Sequence, residues 1–331
     1  MDSRYAKPWR SDMAVCFVYF NSMKSKRLLM NYLYTIEKLK LASIKYYTLE
    51  LYFDKPEISD AIHLKGTSIM FHKEQLCHVL EQYVSKWYTK LLFLDADIIF
   101  ESPDWYTQVS ILLDDHEIVQ PFEFCIWLDL TYKLEELTRE SIVKQKHFAY
   151  YNTTYHPGFG WAFQRAWFKQ YGFFRHAVTG SGDTLSAAAW LNQKLPAGYN
   201  FPKALEAAYT AFKKRISSSG PNGPSGLSGL IASLCGPLGL LSLCLPSDPS
   251  DNDFVSNSFN GPRITFCPGR VFHLHHGSRK NRKYNDRHNL LNGIADIRKE
   301  LKLNFNQVFS FRRPSLSDSM KVYFDERLDD E

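Results

Sequence analysis

Several features are missing from this sequence of 331 residues, and each absence excludes something. Its six cysteines, at 16, 77, 125, 235, 244 and 267, form no Cys-x-x-Cys pair, which argues against a zinc ribbon or a dithiol redox motif. The opening residues, Met1 to Arg10, are polar and hold no apolar stretch of the kind a secretory signal needs. Reduced thiols and a cytoplasmic setting are therefore the expectation. No broad field of one sign exists beyond one dense basic run at 279–284: the net charge of +5 is mild, suits an anionic ligand and does not argue for nucleic acid. No internal repeat is present. One charge-free stretch, 227–246, has the length of a membrane span. Gly229, Gly236, Pro237 and Gly239 interrupt it, so no span is expected.

What is present is an ordinary globular composition, 44% apolar and 23% charged, long enough for a sizeable core. Aromatic residues reach 15%, enough to fill a core and to leave rings for stacking on sugars or bases in a cleft. The run 13–20 (MAVCFVYF) reads as a buried strand. Asn21-Ser22 offers a helix cap, and Leu28, Leu29, Tyr32, Leu33, Ile36 and Leu39 repeat at helical spacing. A strand over 46–53, a helix over 73–87 and a strand over 91–100 follow. This alternation implies right-handed crossovers and a parallel sheet, with ligands beyond the carboxyl ends of the strands. The strand ends carry Asn21, Glu50, Asp54, Asp95 and Asp97.

Farther along, 118–122 reads as a strand, 134–147 as a helix and 157–163 as a glycine-rich turn and strand. Helices are expected over 183–195 and 203–216, a strand over 264–276, and a last amphipathic helix beyond Arg287. Residues 217–262, rich in Ser, Gly and Pro, look inserted between a helix and a strand. The organisation expected is an arm over 1–12, a single domain over 13–312 interrupted by that segment, and a disordered acidic tail over 313–331.

The strongest chemical signal is Leu94-Asp95-Ala96-Asp97 at the end of a very apolar strand. Carboxylates two residues apart point the same way on an extended chain. Such a like-charge pair is costly unless a cation sits between the two. Carboxylate oxygens suit Mg²⁺ or Mn²⁺, which keep open positions for substrate phosphates.

In this context LLFLDADIIF resembles the Asp-x-Asp motif of nucleotide-sugar glycosyltransferases of the GT-A fold, a Rossmann-like, mixed and mainly parallel sheet flanked by helices. The resemblance extends over roughly 13–215 and 264–311. It implies that Asp95 and Asp97 hold a divalent metal on the donor's diphosphate. It also implies a metal-binding histidine near a late strand's end, where His273-Leu274-His275-His276-Gly277 stands. Imidazole is a good ligand for Mn²⁺. On an extended strand His273 and His275 share a face and His276 lies opposite; His276, beside Gly277, is the first candidate and His273 the second. Arg279, Lys280 and Arg282 then offer cations for a diphosphate, with Tyr284 and Arg287 beyond. Gly158-Phe159-Gly160-Trp161 resembles the family's small-residue acceptor strand, and Gly180-Ser181-Gly182-Asp183 its acid at a helix start. In inverting members that acid is the base, which points to Asp183, although Thr184 stands where a second acid is usual. Asp183 as a plain helix cap is the alternative. Glu50, Asp54 and Lys73 are weaker candidates for the nucleoside.

The expected activity is a metal-dependent hexosyl- or pentosyltransfer from a UDP- or GDP-sugar to a hydroxyl acceptor in glycan synthesis. Haloacid-dehalogenase-like phosphatases also place Asp-x-Asp after an apolar strand, but there the motif opens the domain, and Ile99 stands where Thr or Val is preferred. A non-catalytic nucleotide- or sugar-binding protein is the remaining alternative, against which Asp95, Asp97 and the histidines speak.

Overall fold

The segment Met13–Tyr19, β1, is apolar throughout and buried at every position but Val18, so it belongs inside a sheet covered on both faces. In the computed structural model, which describes residues 5–145, 154–220, 259–278, 280–282 and 286–330, this strand is central. The chain then runs through helix α1 (Lys26–Leu41), strands β2 (Tyr46–Tyr52) and β3 (Ile62–Lys65), helix α2 (Lys73–Glu81), strands β4 (Lys90–Leu94) and β5 (Ile98–Phe100), and helix α3 (Trp105–Asp115). Strands β6 (Ile118–Gln120), β7 (Phe124–Leu128) and β8 (Glu135–Ser141) follow, with one helical turn, α4 (Ile142–Gln145), then β9 (Tyr155–His156) and β10 (Gly160–Gln164). Helices α5 (Arg165–Gln170), α6 (Gly182–Trp190) and α7 (Glu206–Ile216) lead to β11 (Ile264–Phe266) and β12 (Arg270–His273). The remaining elements are α8 (Ile297–Glu300), β13 (Leu301–Leu303), β14 (Phe309–Phe311) and α9 (Pro314–Asp325).

The main sheet has the order β11-β6-β10-β4-β1-β2-β3. Every pairing in it is parallel except those of β10, which runs antiparallel to β4 and β6. This is the mixed, mainly parallel α/β architecture expected from the sequence. Alternate residues of β1 serve opposite layers: Ala14 and Cys16 join the cluster built with α2, α6 and α7, while Met13, Val15 and Phe17 join that of α1 and α3. A second sheet, β5-β12-β7-β8-β9, stands beyond the carboxyl end of β4. Three residues, Asp95-Ala96-Asp97, connect the two sheets.

Several expectations are corrected. Residues 135–141 form strand β8, not a helix, because pairing with β7 satisfies their backbone and buries Arg139 and Ser141. The strand expected over 264–276 breaks at Cys267-Pro268-Gly269, where Gly269 has φ +115°; β11 and β12 lie in different sheets. The last helix dissolves into a 3-10 turn over 287–291 and the single turn α8, separated by Gly293 at φ +79°. Ser25, not Asn21-Ser22, caps α1: its Oγ accepts from the Leu28 amide at 3.1 Å. Helix α2 stops at Glu81, leaving Trp87 exposed. The tail beyond Arg313 is not disordered. It forms α9, whose Met320, Tyr323 and Phe324 are buried, and Phe324 packs on Phe71 with ring centres 5.0 Å apart.

Three imidazoles are locked into the core by hydrogen bonds. His72 bonds the Ser68 carbonyl at 2.9 Å, His78 the Phe173 carbonyl at 3.1 Å, and His288 the Thr179 hydroxyl at 2.9 Å. Burial pushes them down, to about 4 for His72 and about 3 for His78 and His288. Their folded values lie below the ordinary 6.5, so the unfolded chain binds protons that the folded chain refuses. Stability is therefore expected to fall as pH drops from 6.5 toward 4, by up to roughly 4 kcal/mol per pH unit from these three groups. Urea midpoints measured across that range check it; a flat profile contradicts the burial.

The segment 221–258 lies outside the described residues, as does the apolar stretch 227–246. Among the described residues no helix is long and apolar enough to cross a membrane. The flanks of that segment meet: the Gly220 amide donates to the Asn260 carbonyl at 2.8 Å, and the Asn260 amide to the Ser217 carbonyl at 2.9 Å. Replacing 221–258 by a short Gly/Ser linker is thus expected to leave the unfolding free energy within about 1 kcal/mol, since loop length enters only logarithmically. Loss of soluble protein on that replacement would show that the segment packs with the fold.

Candidate active site

The turn Asp95-Ala96-Asp97 is fixed from both sides. The Asp95 amide donates to the Phe159 carbonyl at 2.8 Å, and the Asp97 carbonyl accepts from the Leu274 amide at 2.9 Å. Both aspartates line the same two adjoining cavities, yet their carboxylates have different partners. Lys73, the first residue of α2, forms an ion pair with Asp95. Burial raises the Asp95 carboxyl, with Lys73 opposing and Asp97 adding to the shift.

Asp97 faces the histidines. Its Oδ2 lies 2.7 Å from His276 Nε2 and 3.5 Å from His273 Nε2, and the two Nε2 atoms are 3.2 Å apart. His273 is the last residue of β12, paired with Ile98 and Trp127 on its two sides. Because the strand ends there, the expected alternation of faces fails, and His276 swings back to the same side as His273. His275 instead gives its carbonyl to Asn31 Nδ2 at 3.1 Å. Burial works to raise the Asp97 carboxyl, but His273, His276 and Arg282 outweigh it and hold it well below the usual carboxylate range.

Asp97, His273 and His276 are the group of described residues arranged to hold a metal ion, with one donor atom of each within 4.8 Å of the others. The donor set of one carboxylate and two imidazoles suits Mn²⁺ and related divalent ions. Asp97 Oδ1 and His273 Nδ1 are buried without a hydrogen-bond partner, so capacity for coordination and for orienting the rings is left over. Asp95 lies beside this group rather than in it.

Of the basic run, Arg282 reaches the site: its Nη2 donates to the His276 carbonyl at 2.9 Å and contacts the ring nitrogens. Lys280 is exposed and lines neither cavity. Arg279 and Tyr284 lie outside the described residues. Glu50 is corrected: although at a strand's end, its carboxylate accepts the amides of Glu57 at 2.6 Å and Ile58 at 3.0 Å, closing its own loop. Asp54 lies with it beside a separate small cavity.

Asp183 stands in the larger cavity, of about 240 Å³, with Asp95 and Asp97. It is the second residue of α6; Ser181, at φ +65°, holds the cap position, so Asp183 is not the cap. Its Oδ1 accepts the Thr184 amide at 2.7 Å, and its Oδ2 lies against Gly158, where a Cβ would come within 2.4 Å. His156, Arg139 and Arg287 share this cavity. Arg287 is buried, stacks over Phe71 and donates to Ser181 Oγ at 2.6 Å.

Residues of the tail were missed entirely. Arg327 lines both cavities. Asp329 is buried, bonded by Arg327 at 3.0 Å and 3.9 Å from His276 Nδ1. Gly277, at φ +70°, gives the tail room, since a Cβ there would stand 2.9 Å from Asp329 Cα. Asp330 accepts from Ser25 Oγ at 2.6 Å and from the Arg27 amide at 2.9 Å, at the start of α1. The signal available in the sequence was the spacing of Met320, Tyr323 and Phe324, hidden among charges.

No family model and no curated protein matches the chain. Solved structures of similar chain path include the catalytic domain of Drosophila β1,4-galactosyltransferase 7 in complex with xylobiose, 12% identical, at a TM-score of 0.30. That match covers 57% of this chain and 66% of that one, just under two thirds of its length. Another is glucosyl-3-phosphoglycerate synthase of Mycobacterium tuberculosis with Mn²⁺, UDP-glucose and phosphoglyceric acid, 11% identical over 63% of this chain and 79% of that one, TM-score 0.32. A third is 4-diphosphocytidyl-2C-methyl-D-erythritol synthase of Anaerococcus prevotii, 10% identical over 47% and 73%, TM-score 0.27. Scores this low carry nothing about activity.

Asp97→Asn is expected to weaken Mn²⁺ binding by more than the ~10–100-fold that loss of an outer-shell partner costs. Asp95→Asn is expected to weaken it less. Free Mn²⁺ measured by EPR checks both; equal losses would place Asp95 among the ligands.

Proposed function

We propose that the chain is a metal-dependent glycosyltransferase of the GT-A kind, moving a sugar from a nucleotide-diphosphate donor to a hydroxyl acceptor. The observation that carries this reading is the Asp97–His273–His276 group, whose Asp97 lines both cavities and whose histidines line the larger one together with Asp183. The second cavity, lined by Tyr19, Phe20, Asn21, Ser22 and Phe324, offers rings and polar groups to a nucleoside. The shared boundary holds Lys73, Asp95, Asp97 and Arg327, where a diphosphate would lie. The larger cavity then takes the sugar and the acceptor.

Asp97, His273 and His276 would hold Mn²⁺ or Mg²⁺, which neutralises negative charge on the departing diphosphate. The chain's own groups do the rest. Arg282 and Arg327 offer charge-assisted hydrogen bonds to the same oxygens. Asp183 takes the proton of the acceptor hydroxyl as its oxygen bonds the anomeric carbon, and the bond to the diphosphate breaks on the opposite face. The product has inverted configuration. The setting proposed is cytoplasmic, in keeping with four described cysteines that are buried and free.

Asp183→Asn is expected to lower the rate by about 10²–10⁴, the usual worth of a general base, with Mn²⁺-dependent UDP or GDP binding unchanged. Asn keeps the local hydrogen-bonding shape, so the fold should survive. Full activity in this variant, or a product of retained configuration by NMR, would overturn the assignment.

A further inference from the structure

Asp183 has an acidic neighbour that comes from another helix. Glu74, the second residue of α2, is buried and lines the same cavity. Its carboxyl lies on the first turn of α6: a Cβ on Gly182 would stand 2.1 Å from Glu74 Cδ and 2.4 Å from Oε1. Gly158 makes the matching space for Asp183. Two glycines thus bring two carboxyls to one wall, at residues 182 and 183 of a single turn. Among the described residues, the hydrogen bond that Glu74 accepts comes from its own backbone amide, and Lys73 is the charge that favours its ionised form.

We propose that Glu74 is the second carboxyl of the acceptor site and shares with Asp183 the proton released by the acceptor hydroxyl. This rests on the glycosyltransferase reading above. The acceptor O–H bond breaks and its proton passes to the carboxyl pair. The oxygen forms its bond to the anomeric carbon, and the electron pair of the old bond leaves with the diphosphate. Asp183 meets the hydroxyl, and Glu74 is where the proton comes to rest. The groups facing Glu74 are Lys73 and Cys77 on its own helix, Asp183 on α6 and Asp95 in the turn after β4. Burial raises its carboxyl to about 7, Lys73 opposing and Asp183 adding. A proton acceptor of that strength suits neutral pH.

The test uses the full chain, Mn²⁺ and a panel of UDP- and GDP-sugars, with water as acceptor. Glu74→Gln is expected to lower kcat/KM by about 10² and to move the acidic limb of its pH profile from near 7 to lower pH, with Mn²⁺–UDP affinity unchanged. Glu74→Asp should recover part of the rate and the limb. Gly182→Ala, which displaces the Glu74 carboxyl, should reproduce the Glu74→Gln profile. A wild-type pH profile in Glu74→Gln overturns this proposal alone. Failure of the wild type to cleave any sugar nucleotide defeats the functional reading and the proposal with it. If Glu74→Gln does not fold, ¹³C NMR of glutamate carboxyls in the wild type decides: a resonance titrating near 7 that shifts in Asp183→Asn supports the pair, and none doing so overturns it.

Discussion

Two carboxylates two residues apart cannot be buried together as bare charges, and the architecture around Asp95 and Asp97 answers that constraint. Asp95 is met by Lys73 from the start of α2; Asp97 is met by His273 and His276 from the end of β12. For these partners to arrive, α2 must begin, and β12 must end, at the carboxyl edge of β4. The second sheet follows from the same need. Strand β5 leaves the turn and pairs with β12 through Ile98 and His273, so the strand that follows Asp97 and the strand that ends in His273 are one ladder.

Glycine supplies the second condition. Gly158, Gly180 and Gly182 each leave a space that a charged side chain fills: Asp183, Arg287 and Glu74 respectively. In each case a methyl group would stand within 2.7 Å of the charged group. The cavity is polar because its backbone wall is bare, and large charged side chains from distant elements lie flat against it. Aromatic rings close the remainder, with Phe159 stacked on His273 at 4.8 Å and Trp127 beneath Arg139.

How much of this was legible in the sequence divides along a physical line. The main sheet was readable because buried parallel strands are apolar runs, and strand ends are where ligands bind. That rule reached Asp95 and Asp97, while Lys73 was read from a helix start and the histidines from the resemblance. It misled at Glu50, because a strand-end carboxylate looks the same in sequence whether it faces a ligand or two backbone amides of its own loop. Strand β8 was unreadable locally: Leu134, Leu137 and Ile142 fit a helix, and only pairing with β7 makes 135–141 extended. The alternation of His273, His275 and His276 failed because the strand stops at its first histidine. Glu74, Arg139, Arg327 and Asp329 reach the cavity through contacts that span much of the chain, and no spacing announces those. The acidity of the tail suggested solvent, yet Asp329 and Asp330 are used as a buried contact and as a helix cap.

That cap has a consequence for how the molecule is made. The amides of Lys26 and Arg27 find their acceptor in Asp330, 304 and 303 residues away. A growing chain emerging from the ribosome therefore presents the first turn of α1, and the cavity beside it, long before the carboxylate that finishes them exists. Closing a loop of such length costs conformational entropy that nearer contacts do not. A chain made as far as His276 already holds every strand of the main sheet and both imidazoles, while the tail's share of the pocket is still missing.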